Sequence, residues 1–96
     1  MNEQRRMDNN EQRENLKHML MQLSKAELKV LELLANNLSS NDIAARLYLS
    51  FKTVQNHRAN MTKKLGFSGH NSLLTFAIEC KLMDLLGNQP HLFPTE

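Results

Sequence analysis

One short phrase, written three times, constrains this chain more than any other feature. Leu-Ser, three further residues and then an aliphatic side chain recur as Leu23-Ser24…Leu28, Leu38-Ser39…Ile43 and Leu49-Ser50…Val54. A serine just before a helix accepts a hydrogen bond from an orphan N–H of the first turn. The leucine before it packs on the aliphatic residue one turn in, a hydrophobic staple. The residue three after each serine is Glu27, Asp42 or Thr53. The first completes a reciprocal capping box and the second comes close to one. Three helices are therefore expected, from about Lys25 to Asn36, Ser40 to Leu47 and Phe51 to Leu65. Asn36-Asn37 and Gly66 end the first and third, since Asn and Gly accept the left-handed conformation of a helix C-terminus. The first helix turns Leu28, Leu31, Leu34 and Ala35 inward with Val30 flanking, and the second turns Ile43, Ala44 and Leu47 inward. A short helix, a turn over Tyr48, Leu49 and Ser50, and a longer helix make a helix-turn-helix pattern.

The flanks are less constrained. Leu16, Met19, Leu20 and Leu23 recur at helical spacing, which predicts a further helix over about 11–22. A last helix fits about Gly69 to Leu86, and its apolar residues occupy two sides. Leu73, Phe76, Ala77, Cys80 and Met83 form one; Leu74, Ile78, Leu82 and Leu85 form the other; Ser72, Thr75 and Glu79 make a narrow polar strip. A helix apolar nearly all round is covered on both sides. One side meets the core. The other is expected to meet a second copy of the chain, unless the N-terminal helix or the tail covers it. The expected division is a polar segment and helix over 1–22, the helix-turn-helix domain over 23–86 and a tail over 87–96, which holds both prolines and in which Leu92 and Phe93 could dock.

Composition agrees with an all-α fold. The 96 residues suit one small domain. Leu and Met dominate the 41% apolar fraction, aromatics are 5%, and three Gly and two Pro are too few for many tight β-turns. A single cysteine, Cys80, excludes an internal disulfide and any multi-cysteine zinc site; a packed small side chain is its plainest role. His18, His57, His70 and His91 have no metal-ligand spacing with one another or with Cys80, and no phosphate-binding loop or nucleophile motif occurs. No enzyme, metal or cofactor is expected. The N-terminus lacks the apolar stretch of a signal peptide and no run reaches membrane-spanning length, so a cytoplasmic protein with no membrane partner is expected.

The net charge of +2 hides an uneven distribution. Residues 1–32 carry six basic and six acidic side chains, residues 33–66 five basic and one acidic, and residues 67–96 one basic and three acidic. A positive middle third within a nearly neutral chain is the electrostatic footprint of a nucleic-acid reader. At about 100° per residue, Val54, Met61 and Leu65 of the third helix face the core while Lys52, Gln55, Asn56, Ala59 and Lys63 cluster opposite. Gln and Asn offer a paired donor and acceptor that match an adenine edge, and Ala59 permits close approach and contact with a thymine methyl. Gln55, Asn56 and Ala59 are the expected base contacts. Lys52, Thr53, His57, Arg58, Lys63 and Lys64 are the expected phosphate contacts, which position the helix without reading sequence. For His57 the edge of the core is an equal alternative, and for Thr53 a plain helix-start role is. Arg58 lies near the apolar side, with its stem half-buried and its head reaching out.

The run LSKAELKVLELLANNLSSNDIAARLYLSFKTVQNHRANMTKKLGF resembles the LuxR-type (GerE-like) DNA-binding domain of bacterial transcription regulators. The resemblance rests on Leu23, Ser24, Glu27, Val30, Leu31, Ser39, Ile43, Ala44, Leu47, Ser50, Thr53, Val54, His57, Lys64, Leu65 and Gly66, and covers about residues 22 to 83. It implies a four-helix domain, residues 51–65 as the recognition helix and a last helix that often mediates dimerisation. Asn37 stands where the family often has Gly, Ala26 and His70 where it often has Arg, and Gln55 where it often has Lys or Arg. Family members usually carry an N-terminal receiver or ligand-binding domain; here about 22 residues precede the match, which fits a stand-alone member or an excised output domain. The expected partners are double-stranded DNA with an inverted-repeat operator, a second copy of the chain through Leu74, Ile78, Leu82 and Leu85, and RNA polymerase. The alternative is a helix-turn-helix protein-binding module, an anti-activator or docking domain that has lost DNA binding.

Overall fold

The computed structural model describes residues 8–69 and 71–86. Five helices are present among them: α1 (Asn9–Leu20), α2 (Lys25–Ala35), α3 (Ser40–Leu47), α4 (Phe51–Leu65) and α5 (Ser72–Leu82). His70, His91, Leu92, Phe93 and the tail lie outside the described residues.

The serine phrase does what its chemistry predicts. Ser24 and Ser39 form full capping boxes with Glu27 and Asp42, and Ser50 accepts from the Thr53 N–H. Asp8 and Glu11 make another box, so α1 begins at Asn9, two residues before the expected start. That cap is embedded in a polar stretch with no apolar staple to mark it.

The helix ends share a device that the pattern of serines does not reveal. At the ends of α2, α3, α4 and α5, a residue of positive φ is followed by an apolar one. These are Asn37-Leu38, Tyr48-Leu49, Gly66-Phe67 and Asp84-Leu85. In each, the apolar residue's N–H donates back to a carbonyl five residues earlier (Leu38 to Leu33, Leu49 to Ala44, Phe67 to Thr62, Leu85 to Cys80). The left-handed residue's N–H closes the inner bond three residues back. These are Schellman closures, which satisfy the orphan carbonyls of the last turn. Leu38 and Leu49 thus close one helix and immediately precede the cap of the next, and both pack against the core.

The core centres on α2, which packs against α5, α4 and α3. Val30, Leu31, Ile43, Val54, Met61, Ala77 and Cys80 are wholly buried. Val30 is therefore central rather than flanking, and Leu28 is only partly buried, near Leu20, Leu23 and Leu85. Phe67 meets Phe76 edge to face at 5.4 Å between ring centroids.

The last helix is shorter than the apolar run suggests. Gly69, at φ 101, and Asn71 precede its start, and Asp84, at φ 59, turns the chain back after Met83. Leu85 and Leu86 are consequently buried, so Leu85 does not belong on an outer face as expected. Along the Ser72, Thr75 and Glu79 strip, α1 lies alongside α5, with Leu16 buried and Asn15 and Met19 lining the cleft between them. The Arg13 Nε donates to the Met83 carbonyl at 3.1 Å, tying α1 to the end of α5. The N-terminal helix therefore lies beside the polar strip of α5, where Thr75 and Glu79 remain exposed.

Cys80 is buried on α5, and burial, assisted by the neighbouring Glu79 charge, pushes its thiol up to about 12. Since the thiolate is the reactive form, Cys80 is expected to resist disulfide-exchange reagents at pH 8 in the native protein and to react fully in denaturant; a colorimetric thiol titration checks this. No helix among the described residues is long and apolar enough to cross a membrane. Among the same residues, no cluster of three or more His, Cys, Asp or Glu side chains is placed to hold a metal ion.

Candidate nucleic-acid interface

The α4 helix presents two opposed faces. Val54 and Met61 are buried and Leu65 is half-buried against the core, while Lys52, Gln55, Asn56, Ala59 and Lys63 are exposed. The expected outer cluster is thus assembled on one side of a rigid helix. Asn60 is also exposed, one turn beyond Asn56, and extends the amide surface. Arg46, exposed in the last turn of α3, adds a basic side chain on the preceding helix. The sequence marks neither plainly: Asn60 falls at the margin of the angular cluster on α4, and Arg46 lies on the preceding helix.

At the start of α4, the Ser50 hydroxyl accepts from the Thr53 N–H at 3.0 Å and donates to the Thr53 hydroxyl oxygen at 2.9 Å. Thr53 keeps its own O–H as a donor beside the positive end of the helix dipole. His57 and Arg58 are half-buried. The Arg58 head does not simply reach to solvent: its Nη1 donates at 2.6 Å to the hydroxyl of Ser40, at the start of α3. Ser40, itself buried, donates in turn at 2.7 Å to the Gln55 Oε1. A chain of three side chains therefore joins α3 to the outer face of α4.

Lys64, an expected phosphate contact, also has a partner within the protein. Its Nζ lies 2.7 Å from the Oε1 of Glu27, a carboxylate left only 3% exposed. The same Oε1 accepts the Ser24 N–H at 2.8 Å. Burial works to raise the Glu27 pKa, but the Lys64 ammonium and the Ser24 hydrogen bonds outweigh it and hold the carboxyl below its ordinary value. Lys64 therefore joins α4 to the start of α2, with 41% of its side chain still exposed. The Lys-Leu-Gly signature hides this, because an interior partner 37 residues away leaves no local mark.

The second candidate surface is on α5. Leu82 is 79% exposed and Ile78 41%, and Leu74 is half-buried, all on one side at four-residue spacing. Of the expected outward stripe, three members stand together and Leu85 does not.

A short helix, a turn closed by left-handed Tyr48 and a second helix with a basic, amide-rich outer face define a helix-turn-helix protein. Comparison with known families makes this specific. Residues 21–77 match the GerE family model, described as bacterial regulatory proteins of the luxR family, and the chain belongs to that family. Among its curated relatives is the oxygen regulatory protein NreC of Staphylococcus haemolyticus (strain JCSC1435), 39% identical over 62 residues, which is 65% of this chain and 29% of the relative. The protein of the same name from Staphylococcus aureus (strain JH9) is 37% identical over the same length. The chain thus spans under a third of the length of these relatives. No solved structure matches it.

Proposed function

We propose that this chain is a sequence-reading, double-stranded-DNA-binding domain that regulates transcription, with α4 lying in the major groove. The observation that carries this reading is the outer face of α4. Lys52, Gln55, Asn56, Ala59 and Lys63 are exposed together, no acidic residue occurs anywhere in the helix, and the helix is the second of a helix-turn-helix pair. The family match and the similarity to proteins named as regulators support it. In this reading Asn56 and Gln55 touch base edges, Ala59 allows the approach, and Asn60 lies at the margin of the contact. Lys52, Lys63 and the Thr53 hydroxyl engage phosphates, with His57 at the rim. Arg58 acts mainly through Ser40, and Lys64 is paired with Glu27. Two protomers joined through Leu74, Ile78 and Leu82 read an inverted repeat with half-sites about one helical turn apart.

Selection of bound duplexes from a random-sequence pool at moderate salt tests the proposal. A two-fold-symmetric motif is the expected outcome; failure of a folded protein to enrich any sequence would favour the protein-binding alternative. On the selected site, Asn56→Ala is expected to relax preference at one base pair while keeping non-specific affinity. Lys63→Ala is expected to weaken all duplexes alike and to reduce the salt slope by about one. Fluorescence-anisotropy titrations across a salt series separate the two behaviours, and wild-type binding by both variants would refute the assignment of this face.

A further inference from the structure

The side-chain chain between α3 and α4 has a direction, and that direction bears on what Gln55 can read. An arginine guanidinium only donates hydrogen bonds. The Arg58 Nη1 therefore occupies Ser40 as an acceptor, at 2.6 Å. Ser40 has one hydroxyl hydrogen, and at 2.7 Å from the Gln55 amide that hydrogen is spent on Gln55. The Gln55 atom facing Ser40 is the carbonyl oxygen, which accepts that hydrogen. Burial of Ser40 at 7% exposure keeps water from substituting for either partner. Gln55 is itself exposed, so the rest of its amide is open to solvent or to a ligand.

We infer that Ser40 and Arg58 act as positioning residues that turn the Gln55 carbonyl towards α3 and leave its Nε2 donors to lead, selecting guanine rather than adenine at the base pair it faces. This rests on the reading of α4 as the recognition helix. A free glutamine amide matches adenine because it offers an acceptor to N6–H and a donor to N7. With Oε1 turned to the buried Ser40 and one of its lone pairs occupied there, the Nε2 end, with its two N–H groups, is the end of the amide left to lead towards a base. Guanine presents two adjacent acceptors, N7 and O6, in the major groove, whereas adenine sets its N6 donor against the amide N–H, and cytosine presents a donor. Asn56 has no such tether and keeps both halves of its amide for an adenine edge. The two neighbouring amides therefore read different bases, although their chemistry in isolation is the same.

The test is duplex selection with the wild type, Gln55→Ala, Ser40→Ala and Ser40→Thr, followed by affinities for the four base variants at one position. Gln55→Ala identifies the position as the one whose preference it abolishes. Guanine is expected there in the wild type, favoured about fivefold or more over adenine. Ser40→Ala, which frees the Gln55 carbonyl, is expected to bring guanine and adenine within about twofold. Ser40→Thr, which keeps the hydroxyl, is expected to restore the preference. Thermal melting of each variant confirms that the comparison is between folded proteins, and a role confined to packing would not move one base position alone. A motif with adenine at this position, or a Ser40→Ala motif identical to wild type, overturns the inference while leaving DNA reading intact. No enriched motif with the wild type overturns the proposed function, and this inference with it.

Discussion

Glu27→Ala is expected to lower the free energy of unfolding by about 2 to 3 kcal/mol, measured by urea denaturation. Two losses combine. The carboxylate accepts the Ser24 N–H within the capping box that starts α2, and it holds the Lys64 Nζ at 2.7 Å across the interface between α2 and α4. Lys64 is 41% exposed and turns to water when its partner is removed, which keeps the cost below that of a wholly buried pair. Glu27→Gln, which keeps an acceptor for Ser24 and loses the charge, is expected to cost less, about 1 kcal/mol. The sign of the pH dependence follows from the direction of the shift. The folded-state pKa of Glu27 lies below its ordinary value, so the stabilisation is present in full above the unfolded pKa of about 4.3 and is lost as pH falls through the lower folded value. Glu32 contributes the opposite slope, because burial raises its pKa. Since Glu32 is present in both proteins, the difference between wild-type and Glu27→Gln stability curves isolates Glu27. That difference is expected to shrink between about pH 4.3 and the folded value. A Glu27→Ala variant within 0.5 kcal/mol of wild type, or a constant difference down to pH 3, would show that the pair contributes nothing.

What was legible in the sequence was local. The starts of α2, α3 and α4 came from Ser24, Ser39 and Ser50, because a cap, the residue three after it and the two staple residues fall within six consecutive residues. The outer face of α4 came from helical spacing alone, for the same reason. What escaped depends on contacts distant in sequence. Glu27 and Lys64 are 37 residues apart, and Ser40 meets Arg58 across 18 residues and Gln55 across 15. No pattern within either helix records such a pairing. The overlong α5 has a different cause. Met83, Leu85 and Leu86 continue an apolar run, but left-handed Asp84 interrupts the helix and returns the leucines to the core. Asp tolerates that conformation without announcing it as Gly66 does. Tyr48 is less legible still, since a large side chain at positive φ is disfavoured; the closure back to Ala44 and Ala45 holds it there while its ring stays 94% exposed.

The largest expected effect concerns the outer side of α5. Leu74, Ile78 and Leu82 form a stripe three side chains long on an 11-residue helix, with Leu85 withdrawn into the core. A stripe of that size fits a small interface, and small interfaces are generally weak. The protein is therefore expected to be largely monomeric when dilute and to pair when two half-sites hold two copies together, because the second contact then forms at a high effective concentration. α1 does not compete for this surface, since it lies along Ser72, Thr75 and Glu79 and is anchored by Arg13 to the Met83 carbonyl. Leu82→Asp places a carboxylate in the stripe and, by symmetry, a second one near it in the partner. Its expected effect is a loss of about a hundredfold or more in affinity for a two-half-site duplex. Affinity for a single half-site should stay within about twofold of wild type, because Leu82 is exposed and far along the chain from α4. Gel-shift titrations on both duplexes distinguish the cases. Equal loss on the two would mean that the substitution damages the fold. No loss on either would mean that the copies meet elsewhere and that the exposed leucine has another use.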